Sequence, residues 1–153
     1  MSIKMLVMDV DGTLTDGRIY IGSTGELMKA FDVKDGYAIA RLKEQGVEPV
    51  IITGRNSDIV CARARELRIT ELHQGIEDKL TQLQSIAKKH SVSAEEIAYI
   101  GDDLNDIKCM KYCGLSACPG DAVEQVKDVV DYVCVNLGGR GAVREFIEKK
   151  VII

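Results

Sequence analysis

Nowhere does the sequence hold an apolar run of the roughly 18–20 residues that a bilayer-spanning helix needs. Its start does not read as a secretory signal either: the stretch Ile3–Met8 is short and leads straight into acidic residues. The expectation is a cytoplasmic protein with no membrane partner. Positive charge is not in excess, with 20 Lys and Arg against 24 Asp and Glu and a net charge of −4. That balance argues against a nucleic-acid partner, which needs a basic patch. It leaves room for a small anionic substrate held by a metal and a few local cations. The five cysteines form an odd set without framework spacing, which fits reduced thiols rather than disulfides. Cys109, Cys113 and Cys118 lack a CxxC pair or a neighbouring histidine, so no zinc site is expected. Histidine is scarce as well: His73 and His90 stand alone. Repeats, low-complexity tracts and linkers are missing, and 153 residues suit one domain spanning 1–153.

What is present is an alternation of short apolar runs with amphipathic stretches. Met5–Met8, Glu48–Ile52, Glu71–His73, Ile97–Ile100, Leu115–Ala117 and Tyr132–Val135 read as strands. Between them Tyr37–Gln45 (with Gly46 as its C-cap), Ser57–Leu67, Glu77–His90, Asp103–Lys111 and Ala122–Val126 read as helices, and a last helix runs from Ala142 to about Lys149. Strands alternating with helices of about ten residues predict an α/β fold with a mostly parallel sheet of about six strands and right-handed crossovers. Arg18–Ile21 and Leu27–Val33 flank Gly22-Ser23-Thr24-Gly25 and predict a β-hairpin outside that alternation, closed by Asp35-Gly36.

The stretch Met5–Gly17 organises the chain. Its apolar run ends in Asp9-Val10-Asp11-Gly12-Thr13, placing two carboxylates one residue apart at a strand end. Alone this could be a turn, since Asp and Gly favour turns. Two further strands also end in chemically useful residues: Thr53-Gly54-Arg55, and Gly101-Asp102-Asp103 with Asn105 and Asp106 close behind. In a parallel sheet these ends share one edge, where ligands bind in open α/β folds. A set of carboxylate and carbonyl oxygens suits Mg²⁺, and no thiol or imidazole is placed to favour a softer metal. A carboxylate beside Mg²⁺ can attack phosphorus. The transferring phosphoryl group then needs partners of the kind offered by Thr53, the Gly54 N–H and Lys79 at a helix start. A second carboxylate two residues along can protonate the leaving oxygen and later activate water.

These four segments, Asp9–Thr13, Thr53–Arg55, Lys79 and Gly101–Asp106, closely resemble the four motifs of the haloacid dehalogenase superfamily. The resemblance implies a Rossmann-like fold and specific roles. Asp9 would be the nucleophile, Asp11 the general acid and base, and Thr53 and Lys79 the phosphate holders. Asp9, the Asp11 carbonyl and Asp102 would bind Mg²⁺; Asp103 would sit near the metal's waters and Asp106 would support the site.

No segment between the motifs is long enough for a cap domain, so a bare site would be open to water unless a neighbouring subunit covers it. Lys29–Gly36 and Gly138–Glu145 further resemble signatures of the capless, tetrameric phosphatases of 3-deoxy-2-ulosonic acid phosphates, those of 3-deoxy-D-manno-octulosonate (KDO) 8-phosphate above all. In that family hairpins from four subunits form a barrel; the role implied is supplying KDO for lipopolysaccharide. The hairpin here, with Ile19, Tyr20, Ile21 and Met28, is a candidate oligomer surface, or else folds back on its own sheet. Substrate contacts are expected from Thr53, Gly54, Arg55, Lys79, Asp32 and Arg140. Arg140 or Arg144 could pair with a substrate carboxylate, although Arg144 could equally bridge to a helix neighbour. The glycine run suits close approach to a ligand or to another backbone. Related phosphatases of nine-carbon ulosonate 9-phosphates carry Glu after Thr-Gly, so Arg55 favours the eight-carbon ester. A non-catalytic oligomerisation module of the same fold is the other alternative, and the retained Asp9, Asp11, Lys79 and Asp102 speak against it. The stretch after the glycines ends at Ile153. This is short for that family, so a neighbour's tail is expected to close the site less completely.

Overall fold

The structure, a computed structural model, describes residues 2–153. The apolar run Met5–Met8 forms β1, and all four of its side chains are fully buried. Burial of that kind contributes about 1.5–3 kcal/mol for each large apolar side chain, which explains why this strand sits mid-sheet. The hairpin follows as β2 (Tyr20–Gly22) and β3 (Gly25–Met28), then α1 (Val33–Ala40). Next come β4 (Glu48–Ile52), α2 (Asp58–Glu66), β5 (Glu71–His73) and α3 (Lys79–His90). The second half holds β6 (Ile97–Ile100), α4 (Ile107–Tyr112), β7 (Leu115–Cys118), α5 (Glu124–Lys127), β8 (Tyr132–Val133) and α6 (Ala142–Phe146).

The main sheet has six strands in the order β5-β4-β1-β6-β7-β8, and every pairing is parallel. In a pleated strand alternate side chains face opposite ways, and two cores result. Leu6, Met8, Ile51 and Ile100 pack with Val60 and Ala64 of α2 and Phe146 of α6. Met5, Val7, Ile52 and Tyr99 pack on the other face with Leu83 and Ile86 of α3 and Met110 of α4. Helices cover both faces, so the polar strand ends collect at one edge. Among the described residues, the hairpin is the only element between β1 and α1, and no cap domain overlies that edge. It forms its own two-stranded antiparallel sheet, separate from the six.

Several boundaries differ from the sequence expectation. The helix predicted from Tyr37 begins at Val33, because the Asp32 carboxylate accepts the Lys34 N–H at 2.6 Å and caps it. Asp35-Gly36, expected to close the hairpin, therefore lies in the first turn of α1, and the hairpin strands are shorter than expected. The end of that stretch becomes a separate 3-10 turn, Lys43–Gln45, stopped by Gly46 at φ 77°. Asp103–Lys111 splits into a 3-10 turn, Leu104–Asp106, and α4. The final helix widens into a π turn over Ile147–Val151. None of these shifts moves the strand ends that carry the site.

Candidate active site

The strand ends meet as the parallel topology requires. Asp9 and Asp11 after β1, Thr53, Gly54 and Arg55 after β4, and Asp102, Asp103 and Asn105 after β6 line one open cavity of about 200 Å³. The loop after β1 is held by its own backbone and side chains. The Val10 carbonyl accepts the N–H groups of Thr13, Leu14 and Thr15, and Thr15 Oγ1 accepts those of Gly12 and Gly17 at 3.2 Å each. Gly12 adopts φ 88°, and a β-carbon there would lie 2.0 Å from Asp102 Oδ2. Only glycine combines that dihedral with that approach. Thr13 Oγ1 donates to Asp102 Oδ1 at 3.2 Å, tying the first strand end to the third.

Lys79, the first residue of α3, is buried and does not itself line this cavity; it borders a neighbouring depression with Leu104, Asn105 and Lys108. Its Nζ donates to Asp9 Oδ1 at 3.1 Å and to Asp106 Oδ1 at 2.9 Å. Burial works against its charge, but Asp9 and Asp106 outweigh that effect and raise its pKa above the usual value. Asp106 is fully buried and has both oxygens engaged. Oδ1 also accepts from Tyr99 OH, and Oδ2 accepts the backbone N–H groups of Asp102 and Asp103 at 3.0 and 3.3 Å. The Asp106 carboxylate thus sets the loop after β6 and anchors Lys79.

Carboxylate oxygens of Asp9, Asp102 and Asp106 all lie within 4.8 Å of one another. With Asp106 saturated by donors, Asp9 and Asp102 are the pair left to share a cation at the cavity wall. The crowding raises the pKa of both carboxyls. Burial, with repulsion from Asp106, raises the Asp9 pKa against the pull of Lys79. Burial, proton sharing with Asp9 and repulsion from Asp9 and Asp106 push Asp102 up to about 8. Two neighbouring carboxylates that resist joint ionisation in an oxygen-only site fit a hard divalent ion such as Mg²⁺.

Asp32 and Arg140 do not line this cavity. They share a separate depression of about 510 Å³ with Lys34, Asn136 and Arg144. Arg144 takes the helical alternative, pairing with Glu148 at 2.7 Å. The glycine run lies against another part of the chain's backbone: the Gly139 N–H donates to the Thr13 carbonyl at 3.1 Å, directly behind the loop after β1.

One contact carries no sequence expectation. Lys29, on the strand-end side of the hairpin, places Nζ 2.6 Å from Asp11 Oδ1 and 3.0 Å from Glu26 Oε2. The available signal was a lone basic residue beside the alternating apolar residues of β3, which spacing alone cannot direct to Asp11.

Known proteins resemble this chain in family, in sequence and in overall fold. The model of the haloacid dehalogenase-like hydrolase family matches residues 65–147. The 3-deoxy-D-manno-octulosonate 8-phosphate phosphatase KdsC of Escherichia coli K12 is 44% identical over 144 residues, covering 94% of this chain and 77% of that protein. The crystal structure of the Moraxella catarrhalis 3-deoxy-D-manno-octulosonate 8-phosphate phosphatase, in complex with magnesium ion, phosphate ion and a KDO molecule, superposes with a TM-score of 0.92 at 45% identity. It covers 95% of this chain and 84% of that one. The cobalt-bound Haemophilus influenzae phosphatase gives a TM-score of 0.92 at 39% identity, over 95% of this chain and 85% of that one. The chain belongs to the haloacid dehalogenase-like hydrolases, among the relatives of 3-deoxy-D-manno-octulosonate 8-phosphate phosphatase.

Proposed function

We propose that this protein is a Mg²⁺-dependent phosphatase that hydrolyses KDO 8-phosphate to KDO and inorganic phosphate. The observation that carries the reading is the cavity walled by Asp9, Asp11, Thr53 and Asp102, with Lys79 bonded to Asp9, in a chain 44% identical to an enzyme of that name.

In this reading an Asp9 oxygen attacks phosphorus. The bond from phosphorus to the sugar oxygen breaks, and the leaving oxygen takes a proton from Asp11. A phosphorylated Asp9 results. Water then attacks the phosphorus, Asp11 takes its proton, and the acyl phosphate bond breaks to restore the Asp9 carboxylate. Thr53 Oγ1, the Gly54 N–H and Lys79 hold phosphoryl oxygens, and Lys79 balances the charge of Asp9 throughout. Mg²⁺, held by Asp9, Asp102 and the Asp11 carbonyl, would supply charge neutralisation for the transferring group. Asp106 keeps Lys79 and the loop after β6 in register. Arg55, exposed at the cavity rim, faces the sugar.

The chain works in this reading as one domain, residues 1–153, in the cytoplasm. No helix among the described residues is long and apolar enough to cross a membrane. It also assembles as a homotetramer through its hairpins. Supporting this, Ile21, Leu27 and Met28 of the hairpin are 67%, 65% and 53% exposed, an apolar surface that a monomer has no use for. Asp32 and Arg140, which do not line the cavity of their own chain, would then act on the substrate of a neighbour. Phosphate release from KDO 8-phosphate with Mg²⁺ tests the reading. Asp9→Asn is expected to lower kcat at least ~10³-fold, since it removes the nucleophile; full turnover by that variant sinks the covalent route.

A further inference from the structure

The hairpin does more than expose an apolar face. Lys29 sends a side chain that is only 2% exposed back to Asp11, a residue of the cavity wall, and lies between Asp11 Oδ1 at 2.6 Å and Glu26 Oε2 at 3.0 Å. Glu26 accepts in turn from Ser57 Oγ, and Ser57 caps α2 by accepting the Val60 N–H. A continuous polar chain therefore runs from the start of α2 through the hairpin to Asp11. Each member is fixed by a partner that is itself fixed.

We propose that Lys29 is the positioning residue for proton transfer. Its ammonium grips Oδ1 of Asp11, fixing the carboxyl plane so that the group meets the leaving oxygen in the first step and water in the second. A carboxyl on a loop residue has free rotation about two bonds. Holding one oxygen removes much of that freedom before substrate arrives, which is where orientation gains come from. The inference rests on the proton-transfer role proposed above for Asp11. It also gives the hairpin a task inside its own subunit, whatever the hairpin touches outside it.

The test uses aryl phosphates of similar size and different leaving-group basicity, phenyl phosphate and p-nitrophenyl phosphate, with kcat/KM as readout. That constant covers the chemistry up to departure of the leaving group. p-Nitrophenolate departs without a proton, whereas phenolate needs one more, and an alkoxide most of all. Lys29→Met is expected to lower kcat/KM for phenyl phosphate by ~10–100-fold and for p-nitrophenyl phosphate by less than ~3-fold, within the usual span of acid catalysis. Lys29→Arg should restore most of the loss. In an Asp11→Asn background, Lys29→Met should add nothing further. Equal losses on both esters would overturn the proposal in favour of a structural role. A loss confined to KDO 8-phosphate would overturn it in favour of sugar binding. If Asp11→Asn itself leaves the leaving-group dependence unchanged, the role of Asp11 falls and the proposal with it. If Asp11→Asn steepens that dependence and Lys29→Met does not, only the proposal falls. Glu26→Gln, which removes one of the two anchors, should give an intermediate slope. It provides the same reading should Lys29→Met melt at assay temperature.

Discussion

Gly138 lies directly on the carbonyl of Gly12: a β-carbon at Gly138 would come within 2.0 Å of that oxygen and 2.9 Å of the Thr15 carbonyl. The glycine run near the end of the chain thus forms the floor under the loop that carries Asp11. Its closeness serves backbone packing, and the position of the catalytic loop depends on it.

Gly138→Ala should therefore damage both stability and catalysis. The obstacle is backbone on both sides, which cannot swing away as a flexible side chain would. Overpacking of this kind costs about 1–3 kcal/mol, or roughly 3–10 °C in Tm for a chain of this size. Thermal denaturation and kcat/KM measured on the same preparation check it. An unchanged Tm with normal activity would mean that the loop after β1 shifts freely.

Asp102 makes the stability of the metal-free protein depend on pH. Its carboxyl, buried and crowded by Asp9 and Asp106, is pushed up from 3.8 to about 8. A pKa raised on folding means that the native state holds the proton more tightly. Stability of the metal-free protein therefore falls as pH rises from about 4 towards 8. Asp102→Asn removes that charge. It should raise the metal-free Tm at pH 8 by roughly 3 °C, about 1 kcal/mol, with little gain near pH 4. Mg²⁺ should raise the Tm of the unaltered protein and leave the variant unmoved. Melting curves at the two pH values, with and without Mg²⁺, report all of this; a full Mg²⁺ response in the variant would remove Asp102 from the ligand set.

Glu71 stabilises the outer strand β5 by the opposite mechanism. Burial would raise its pKa. Hydrogen bonds from Lys89 at 2.5 Å, His90 at 2.8 Å and His73 at 2.8 Å prevail, and it drops to about 2 from 4.5. A depressed carboxyl pKa gives stability that is complete above 4.5 and lost as pH falls towards 2. Because Lys89 is largely exposed, solvent screening reduces the effect to about 1–2 kcal/mol. Glu71→Gln should be less stable by that amount at pH 7 in urea denaturation. The gap should fall below half at pH 3, and a gap that does not depend on pH would contradict the charge argument.

The architecture was legible because its signals are local. Short apolar runs such as Met5–Met8 and Ile97–Ile100, each ended by a Gly- and Asp-bearing turn, read as buried strands, and helical stretches between them favour parallel pairing. Parallel pairing then brings Asp9, Thr53 and Asp102 to one edge without further information. Element ends were less legible, since Asp32-Val33-Lys34-Asp35-Gly36 serves as well for a turn as for a capped helix start. What decided it was the Asp32 carboxylate taking the Lys34 N–H.

By itself the sequence determined the fold class, the sheet edge that bears the carboxylates, and which residues stand there. Tertiary structure alone decided how the charges divide. Asp106 is saturated by Lys79, Tyr99 and two backbone N–H groups, leaving Asp9 and Asp102 as the buried carboxylates that line the cavity. Lys29 reaches Asp11 from the hairpin, and Gly138 lies against Gly12. The reason is physical. Periodicity encodes which face of an element is buried, while the partner of a buried charge, or of a bare α-carbon, depends on side-chain reach and loop path once the sheet has formed.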